Sequence, residues 1–198
     1  MRCKIIFFAL IFFTKTLCSQ ELNFENSPFK KNIKENILNG QIFSESRVKN
    51  LGIDQNLSFS IAGLHPKSCK YALKTLSNYE EFSRFLSFVK ESRYDEKKKE
   101  INFLISHMLM PYDMRLIFTL PRITAPGNYP FIFEIGILKN LRGNIIVSNF
   151  KDRCFFYTTA NWRGPTTGFN PTMFELFSQA LSKLSMEILF RISSSLSH

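Results

Sequence analysis

The longest regular pattern of apolar and polar positions lies near the end of the chain, at residues 170–192. Apolar side chains recur there at the spacing of one helix face, at Met173, Phe177, Ala180, Leu181, Leu184 and Ile188. Asn170 suits the N-cap position, and Pro171 suits the first turn because its missing N–H has no helical partner there. The pattern predicts a helix of about six turns whose broad apolar face needs a large partner surface.

Most of the chain before this helix alternates between apolar and polar positions, which is the period of a half-buried strand. The segments with this pattern are residues 57–61, 100–110, 114–120 and 131–137. Residues 88–94, 141–150 and 153–160 are predicted to be further extended segments, and residues 40–48 could add a short strand. Turn-forming residues separate the segments, such as the polar run at 95–98 and the proline-containing run at 121–130. Gly143 would suit a bulge within its strand.

Two short helices are predicted after the first of these core strands, beyond a surface turn at His65. The first has its apolar face at Cys69, Ala72, Leu73 and Leu76, and the second covers residues 79–86. This order of elements is an α+β arrangement. We predict a curved antiparallel sheet of about six or seven strands wrapped around the long C-terminal helix. A cleft between sheet and helix is a place where apolar ligands bind.

The first 19 residues have the pattern of a signal peptide. Arg2 and Lys4 precede the apolar run IIFFALIFF, and a more polar stretch follows. That run is too short to span a bilayer, which needs roughly 20 apolar residues. We therefore expect cleavage after Cys18 or Ser19 and a periplasmic or secreted protein. Residues 20–52 are predicted to be an N-terminal extension, irregular up to residue 34, residues 53–194 the main domain, and residues 195–198 a frayed tail.

The chain is basic, with 26 Lys and Arg against 16 Asp and Glu and a formal net charge of +10. An exported protein seldom meets nucleic acid, so this charge favours solubility or peripheral contact with an anionic membrane. Cys69 and Cys154 are the cysteines that remain once the leader is removed. In an oxidising compartment they could form a disulfide, and buried free thiols are the alternative.

The order of elements resembles that of the START, polyketide-cyclase and birch-pollen-allergen superfamily (SRPBCC), which has the helix-grip fold. The stretches that carry this resemblance are residues 71–86, which end in NYEEFSRFL, residues 89–93, and residues 138–147 followed by 154–159. A leader before an early strand is typical of exported bacterial members. The chain departs from the family pattern at Asn78, where aspartate is frequent, and at Ser83, where proline is frequent.

The resemblance implies a cavity for a lipid, sterol, quinone or polyketide-like ligand, and it leaves activity open because members range from carriers to cyclases. The side chains that we expect around a ligand are Phe103, Ile105, His107, Met114, Leu116, Phe118, Phe133, Ile135, Met173, Phe177 and Leu181. His107 continues one strand face and could be a general base, a partner for a ligand carbonyl, or a wall histidine with satisfied hydrogen bonds.

Other catalytic signals are scarce in the sequence. The cysteines and histidines lack metal-ligand spacing, and there is no phosphate-binding glycine loop, nucleophile elbow or paired-carboxylate motif. We therefore expect no metal, cofactor or nucleic acid. The leading hypothesis is an exported, non-enzymatic protein that binds a hydrophobic small molecule or lipid. The alternatives are a cyclase- or aromatase-type enzyme with His107 as base, and a periplasmic interaction module with a filled core.

Overall fold

The structure, a computed structural model, describes residues 22–107, 113–168 and 170–196. A short 3₁₀ turn, Tyr79–Glu81, lies between the second and third helices. In chain order the elements are α1 (Lys31–Leu38), β1 (Phe43–Leu51), β2 (Asp54–His65), α2 (Cys69–Leu76), α3 (Phe82–Phe85), β3 (Val89–Asp95), β4 (Glu100–Ile105), β5 (Met114–Thr119), β6 (Gly127–Ile135), β7 (Arg142–Phe150), β8 (Arg153–Pro165) and α4 (Pro171–Ser195).

The described strands form one antiparallel sheet in the order β1-β2-β8-β7-β6-β5-β4-β3. We call the face that carries α4 the inner face and the opposite one the outer face. The longest pairing joins β2 to β8, with Asp54 opposite Pro165 and His65 opposite Cys154. The predicted α+β arrangement is confirmed. The sheet has eight strands instead of six or seven, because β1 is a full partner of β2.

The N-terminal segment covers the outer face of β2 and β8, where the sequence predicted an irregular arm as far as residue 34. Phe24 and Ile37, 4% and 0% exposed, pack in a cluster with Leu64, Phe155 and Tyr157. The helix α1 was missed because its apolar spacing is short: only Ile33 and Ile37, one turn apart, mark the face that meets the sheet. Strands β2 and β8 are therefore covered by apolar contacts on both faces of the sheet.

The long helix α4 is rotated about its axis relative to the apolar face that the sequence predicted, although Leu181 and Ile188 of that face still pack in a core cluster. The hydroxyl groups of Ser178 and Ser46 lie 2.6 Å apart, and the backbone N–H of Val48 donates to Glu175 Oε1 at 2.5 Å. Met173 and Leu184, predicted to face the sheet, are 56% and 42% exposed. Small serine side chains let the helix approach β1 closely, and this contact fixes the rotation of α4 about its axis.

Gly143 does not mark a bulge. It pairs regularly with Phe131 on β6 and Ala160 on β8. A Cβ atom at Gly143 would lie 2.2 Å from the carbonyl oxygen of Thr159 and 2.5 Å from Cζ of Phe131. The position needs glycine because the Phe131 ring lies across the backbone of β7.

Cys69 and Cys154 form a disulfide, with the sulfur atoms 1.98 Å apart and the Cα atoms 4.6 Å apart. Cys69 is the first residue of α2, and Cys154 lies near the start of β8. The sequence left open either a disulfide or two buried free thiols, and the structure contains the disulfide. The bond links α2 covalently to β8 in the central part of the sheet.

His65 is fully buried at the end of β2, and not in the surface turn that the sequence predicted. The backbone N–H of Lys67 donates to its Nδ1 atom at 3.0 Å, so the proton of the neutral ring is on Nε2. That Nε2–H donates to Ser193 Oγ at 3.0 Å, and Ser193 in turn donates to the carbonyl of Leu189 at 2.6 Å. This chain of hydrogen bonds holds the last turns of α4 against β2.

Acid is expected to weaken this connection. Burial lowers the pKa of His65 below its ordinary value of 6.5 and outweighs the backbone contact with Lys67, which raises it; the nearby cations Arg153 and Lys67 lower it further. Below about pH 6.5 His65 therefore binds a proton in the unfolded chain but not in the folded chain. The free energy of unfolding should fall by up to about 1.4 kcal/mol per pH unit as the pH drops below that value, until it reaches the folded pKa.

Urea unfolding measured between about pH 7.5 and pH 5.5 checks this prediction, because most carboxylates stay ionised there. The free energy of unfolding of His65→Gln should be lower than that of the wild type at the upper end of this pH range, and it should change less with pH. A wild-type profile as flat as that of His65→Gln would contradict the assignment.

Candidate functional site

An apolar cavity of about 220 Å³ lies between the inner face of the sheet and the C-terminal half of α4. The short helices close one side of it and the strands β4, β5, β7 and β8 form its floor. The lining residues are Leu76, Tyr79, Phe82, Ile101, Phe103, Phe118, Leu120, Ile123, Ile145, Phe156, Thr158, Met186, Leu189 and Phe190.

Aromatic rings form a continuous row across the inner face. Phe103 and Phe118 come from the paired strands β4 and β5, with ring centroids 5.6 Å apart. The row continues to Phe133 and Phe131 on β6, with centroid distances of 4.8 and 6.1 Å. The alternation of strand side chains places these rings on one face. The rings extend the apolar surface from the cavity toward the first turns of α4.

Two hydroxyl groups are the polar side-chain groups on the cavity wall. Tyr79 Oη accepts from the backbone N–H of Ile123 at 3.0 Å and donates to the carbonyl of Pro121 at 3.2 Å, and its burial raises the pKa of the phenol. The Tyr79 hydroxyl is therefore committed to the protein. The hydroxyl of Thr158 makes no side-chain hydrogen bond to any part of the chain that the structure describes, so it can bind a polar group of a ligand.

Arg122 fastens the segment that covers one side of the cavity. Its guanidinium lies 4.5 Å from the centre of the Tyr94 ring and donates to the carbonyl of Ser77 at 2.6 Å. It also pairs with Glu96 at 2.6 Å and Glu80 at 3.2 Å. Because Arg122 is adjacent to Ile123 on the wall, these contacts tie the wall to the short helices and to the β3–β4 hairpin.

The structure places two of the predicted ligand-contacting residues, Phe103 and Phe118, on the cavity wall. Leu116 is buried nearby, and Phe133 continues the aromatic row. Ile105 and Leu181 pack in an adjoining cluster around Leu86, Phe88 and Val89. These residues belong to the same inner core, but Ile105, Leu116, Phe133 and Leu181 do not line the cavity.

The remaining predicted residues lie away from the cavity. Ile135 and Met173 are 54% and 56% exposed. Met114 is partly buried at the start of β5. The ring of His107 lies 6.3 Å from the ring of Phe177 on α4, so these two residues contact each other beyond the cavity wall.

Several wall residues were not predicted from the sequence. Thr158 and Phe156 alternate on β8, and Met186, Leu189 and Phe190 belong to α4. The β8 pair follows the period of a strand and could have been found by extending the inner face to the last strand. The wall residues on α4 could not have been predicted in this way, because the serine contacts with β1 set the rotation of the helix.

A larger concavity, of about 520 Å³, lies on the β1, β2 and β8 part of the sheet. Its lining is mostly polar and includes Glu45, Arg47, Lys49, Thr159 and Asn161. Glu45 and Arg47 pair with each other at 2.7 Å, and Ser58 donates to Asn161 at 3.0 Å. We take the apolar cavity as the candidate site because a mostly apolar lining with few polar groups is typical of small-molecule sites, whereas the lining of this concavity is mostly polar.

The described residues contain no group of three or more His, Cys, Asp or Glu side chains placed to hold a metal ion. None of the described helices has the length and apolar character needed to cross a membrane.

No protein-family model and no curated protein matches this chain in sequence. Several solved structures are similar in fold. Ara h 8.0201 is 9% identical with a TM-score of 0.56, over 71% of this chain and 99% of its own. A START superfamily protein from Mycobacterium smegmatis is 10% identical with a TM-score of 0.54, over 70% and 99% of the two chains. The Zhui aromatase/cyclase from a Streptomyces species is 6% identical with a TM-score of 0.58, over 70% and 94%. The chain thus has the START-like helix-grip fold.

Proposed function

We propose that this protein is an exported, non-enzymatic binding protein that holds a small hydrophobic molecule between the sheet and α4. The observation that carries the proposal is the apolar cavity of about 220 Å³, whose wall has the Thr158 hydroxyl as its available polar side-chain group. Cavities of this kind, mostly apolar with few polar groups, are typical ligand sites. The structures similar in fold include both a START superfamily protein and an aromatase/cyclase, so the fold is common to this proposal and to the catalytic alternative.

The volume limits the size of the ligand. An apolar cavity of about 150 Å³ stays dry and admits benzene, whereas drug-sized ligands occupy roughly 300–1,000 Å³. At about 220 Å³ the cavity suits one or two fused rings, or a length of alkyl chain, better than a whole sterol. One polar group on such a ligand would face Thr158.

Two features support export. The first residues carry the signal-peptide pattern, with Arg2 and Lys4 before an apolar run. The Cys69–Cys154 disulfide is of the kind that persists in oxidising compartments and is rare in the cytosol. Both features fit a periplasmic or secreted carrier.

A catalytic use of the cavity would need a positioned acid or base on its wall. Tyr79 is the titratable residue there; both of its hydrogen-bonding roles are taken up by backbone groups, and burial raises the pKa of its hydroxyl. His107, the base of the cyclase-type alternative, lies against Phe177 and away from the wall. We therefore favour binding. Loss of turnover in His107→Ala, with the fold intact, would support the alternative.

Native mass spectrometry of the protein purified from the exported fraction of an expressing cell, followed by organic extraction, tests the proposal. A bound hydrophobic compound at one molecule per chain would support it and identify its class. An empty protein that also binds no apolar probe, such as naphthalene, would overturn it.

Thr158→Val provides a finer test, because the change keeps the shape of the side chain and removes the hydroxyl. Binding of 1-naphthol should weaken about 3- to 10-fold, the range expected for one hydrogen bond. Binding of naphthalene should not weaken. Calorimetric titration of both compounds measures the difference, and an equal effect on both would show that Thr158 does not contact the polar group.

A further inference from the structure

We infer that one end of the molecule, formed by the β1–β2 hairpin and the first turns of α4, docks on the surface of an anionic lipid bilayer. At the hairpin tip Leu51 and Ile53 are 47% and 86% exposed. Gly52 between them has a φ of +68°, which makes the tight turn that projects both side chains. These two aliphatic side chains contribute little to the stability of the fold, because they remain exposed to water in the folded protein.

The start of α4 lies beside this tip. The backbone N–H of Thr166 donates to the carbonyl of Ile53 at 3.1 Å, and Asn170 caps the helix a few residues later. Met173 and Leu176, in the first two turns, are 56% and 58% exposed. We call Leu51, Ile53, Met173 and Leu176 together the docking end.

Basic side chains surround the docking end. Lys49 precedes the hairpin tip, and Lys139 lies in the β6–β7 turn; both are exposed, and neither forms an ion pair within the described residues. The indole N–H of Trp162 donates to the carbonyl of Lys139 at 3.0 Å, and the Trp162 ring lies 6.4 Å from that of Phe174. Lys139 is thus held close to the first turn of α4. Arg163 also lies at this end, but its charge is balanced by Asp54, with which it pairs at 2.9 Å.

The shape and charge of this end favour a lipid surface as its partner. Projecting aliphatic side chains flanked by lysines can enter the boundary between headgroups and acyl chains, while the lysines attract anionic lipid. A stable protein partner would need a continuous surface of about 800 Å² on each side, which separate projecting side chains do not supply. Without the first 19 residues, which contain Arg2, Lys4 and Lys15 and no acidic residue, the formal net charge falls from +10 to +7, and this charge adds long-range attraction of the same sign.

The docking end connects to the candidate cavity by apolar contacts. Phe118 on the cavity wall stacks on Phe133, and Phe133 packs in the cluster that contains Trp162 and Phe174. Docking on an anionic bilayer would give the proposed carrier a membrane partner, and it is tested independently of ligand binding.

Flotation with vesicles tests the inference, using protein purified from the exported fraction and checked by mass for removal of its leader. Vesicles of phosphatidylcholine with phosphatidylglycerol should bind the protein, and vesicles of phosphatidylcholine alone should bind it less. The double variant Leu51→Ser, Ile53→Ser should lose about tenfold or more in the partition coefficient, because it removes most of the apolar area that can insert. Lys49→Glu with Lys139→Glu should lose a similar factor at low salt.

Matched controls lie at the opposite end of the sheet. Leu38→Ser removes an exposed leucine, 40% exposed, at the end of α1, and Lys97→Glu with Lys98→Glu reverses two charges at the β3–β4 hairpin tip. Neither control should change binding, and thermal unfolding should show that all variants keep their fold.

Three results would overturn the inference: no vesicle binding of the wild-type protein, undiminished vesicle binding of the hairpin double variant, or equal losses of vesicle binding in the controls. None of these results affects ligand occupancy, which is measured by mass. An empty cavity would likewise leave vesicle binding unchanged.

Discussion

Replacing both Cys69 and Cys154 by alanine should lower the free energy of unfolding by roughly 4–5 kcal/mol. The disulfide joins residues 85 positions apart, and closing a loop of that length in the unfolded chain has about this effect in the chain-entropy relation. Small domains have only about 5–15 kcal/mol of stability in total. The protein should therefore be only marginally stable when its disulfide is reduced.

Urea unfolding with and without a thiol reductant measures this effect. Reductant should shift the wild-type midpoint to that of the double variant and should not shift the double variant itself. The single variant Cys69→Ala should behave like the double one, since either change removes the bond. A wild-type midpoint that is insensitive to reductant, with reduction verified by mass, would contradict the prediction.

Replacing Thr158 by tryptophan should abolish binding of hydrophobic ligands, with at least about a 100-fold loss of affinity, or roughly 2.7 kcal/mol. The new indole ring would project from β8 into a cavity of about 220 Å³, which has room for little more than a ligand of that size. Overpacking of this kind typically costs about 1–3 kcal/mol of stability, so the protein should still fold.

The neighbouring position offers a matched control for this test. Thr159 lies on the same strand and lines the polar concavity instead of the apolar cavity. Thr159→Trp should therefore leave the affinity for a fluorescent apolar probe unchanged, and circular dichroism should confirm that both variants are folded. Retained binding in Thr158→Trp would place the ligand elsewhere in the molecule.

Strands β4 and β5 could be predicted from the sequence because apolar side chains recur at every second position. Phe118 and Leu116 on β5, for example, both lie in the inner core as their period requires. The end of β8 was less clear. The sequence predicted the last strand only as far as residue 160. In the structure β8 continues to Pro165 because β2 pairs with it as far as Asp54, and Trp162 is buried.

The candidate site was harder to predict because it depends on how α4 is rotated. Hydrophobicity alone assigned Met173 and Leu184 to the sheet, but the hydroxyl pairs Ser46–Ser178 and Ser44–Ser182 hold the helix in a rotation that leaves both residues exposed. Polar contacts between distant residues have no period in the sequence, so such a rotation cannot be read from a helix pattern. Outward placement of Met173 also provides part of the docking end.

The disulfide also determines what happens when the chain is cut. Residues 69–154 form a covalent ring that contains α2, α3 and the strands β3 to β7. A protease that cleaves any one peptide bond inside this ring leaves a single molecule, whereas a cut before Cys69 or after Cys154 releases a fragment from the covalent structure. A protein nicked within the ring should therefore retain its full mass under non-reducing denaturing conditions and separate into two pieces only after reduction.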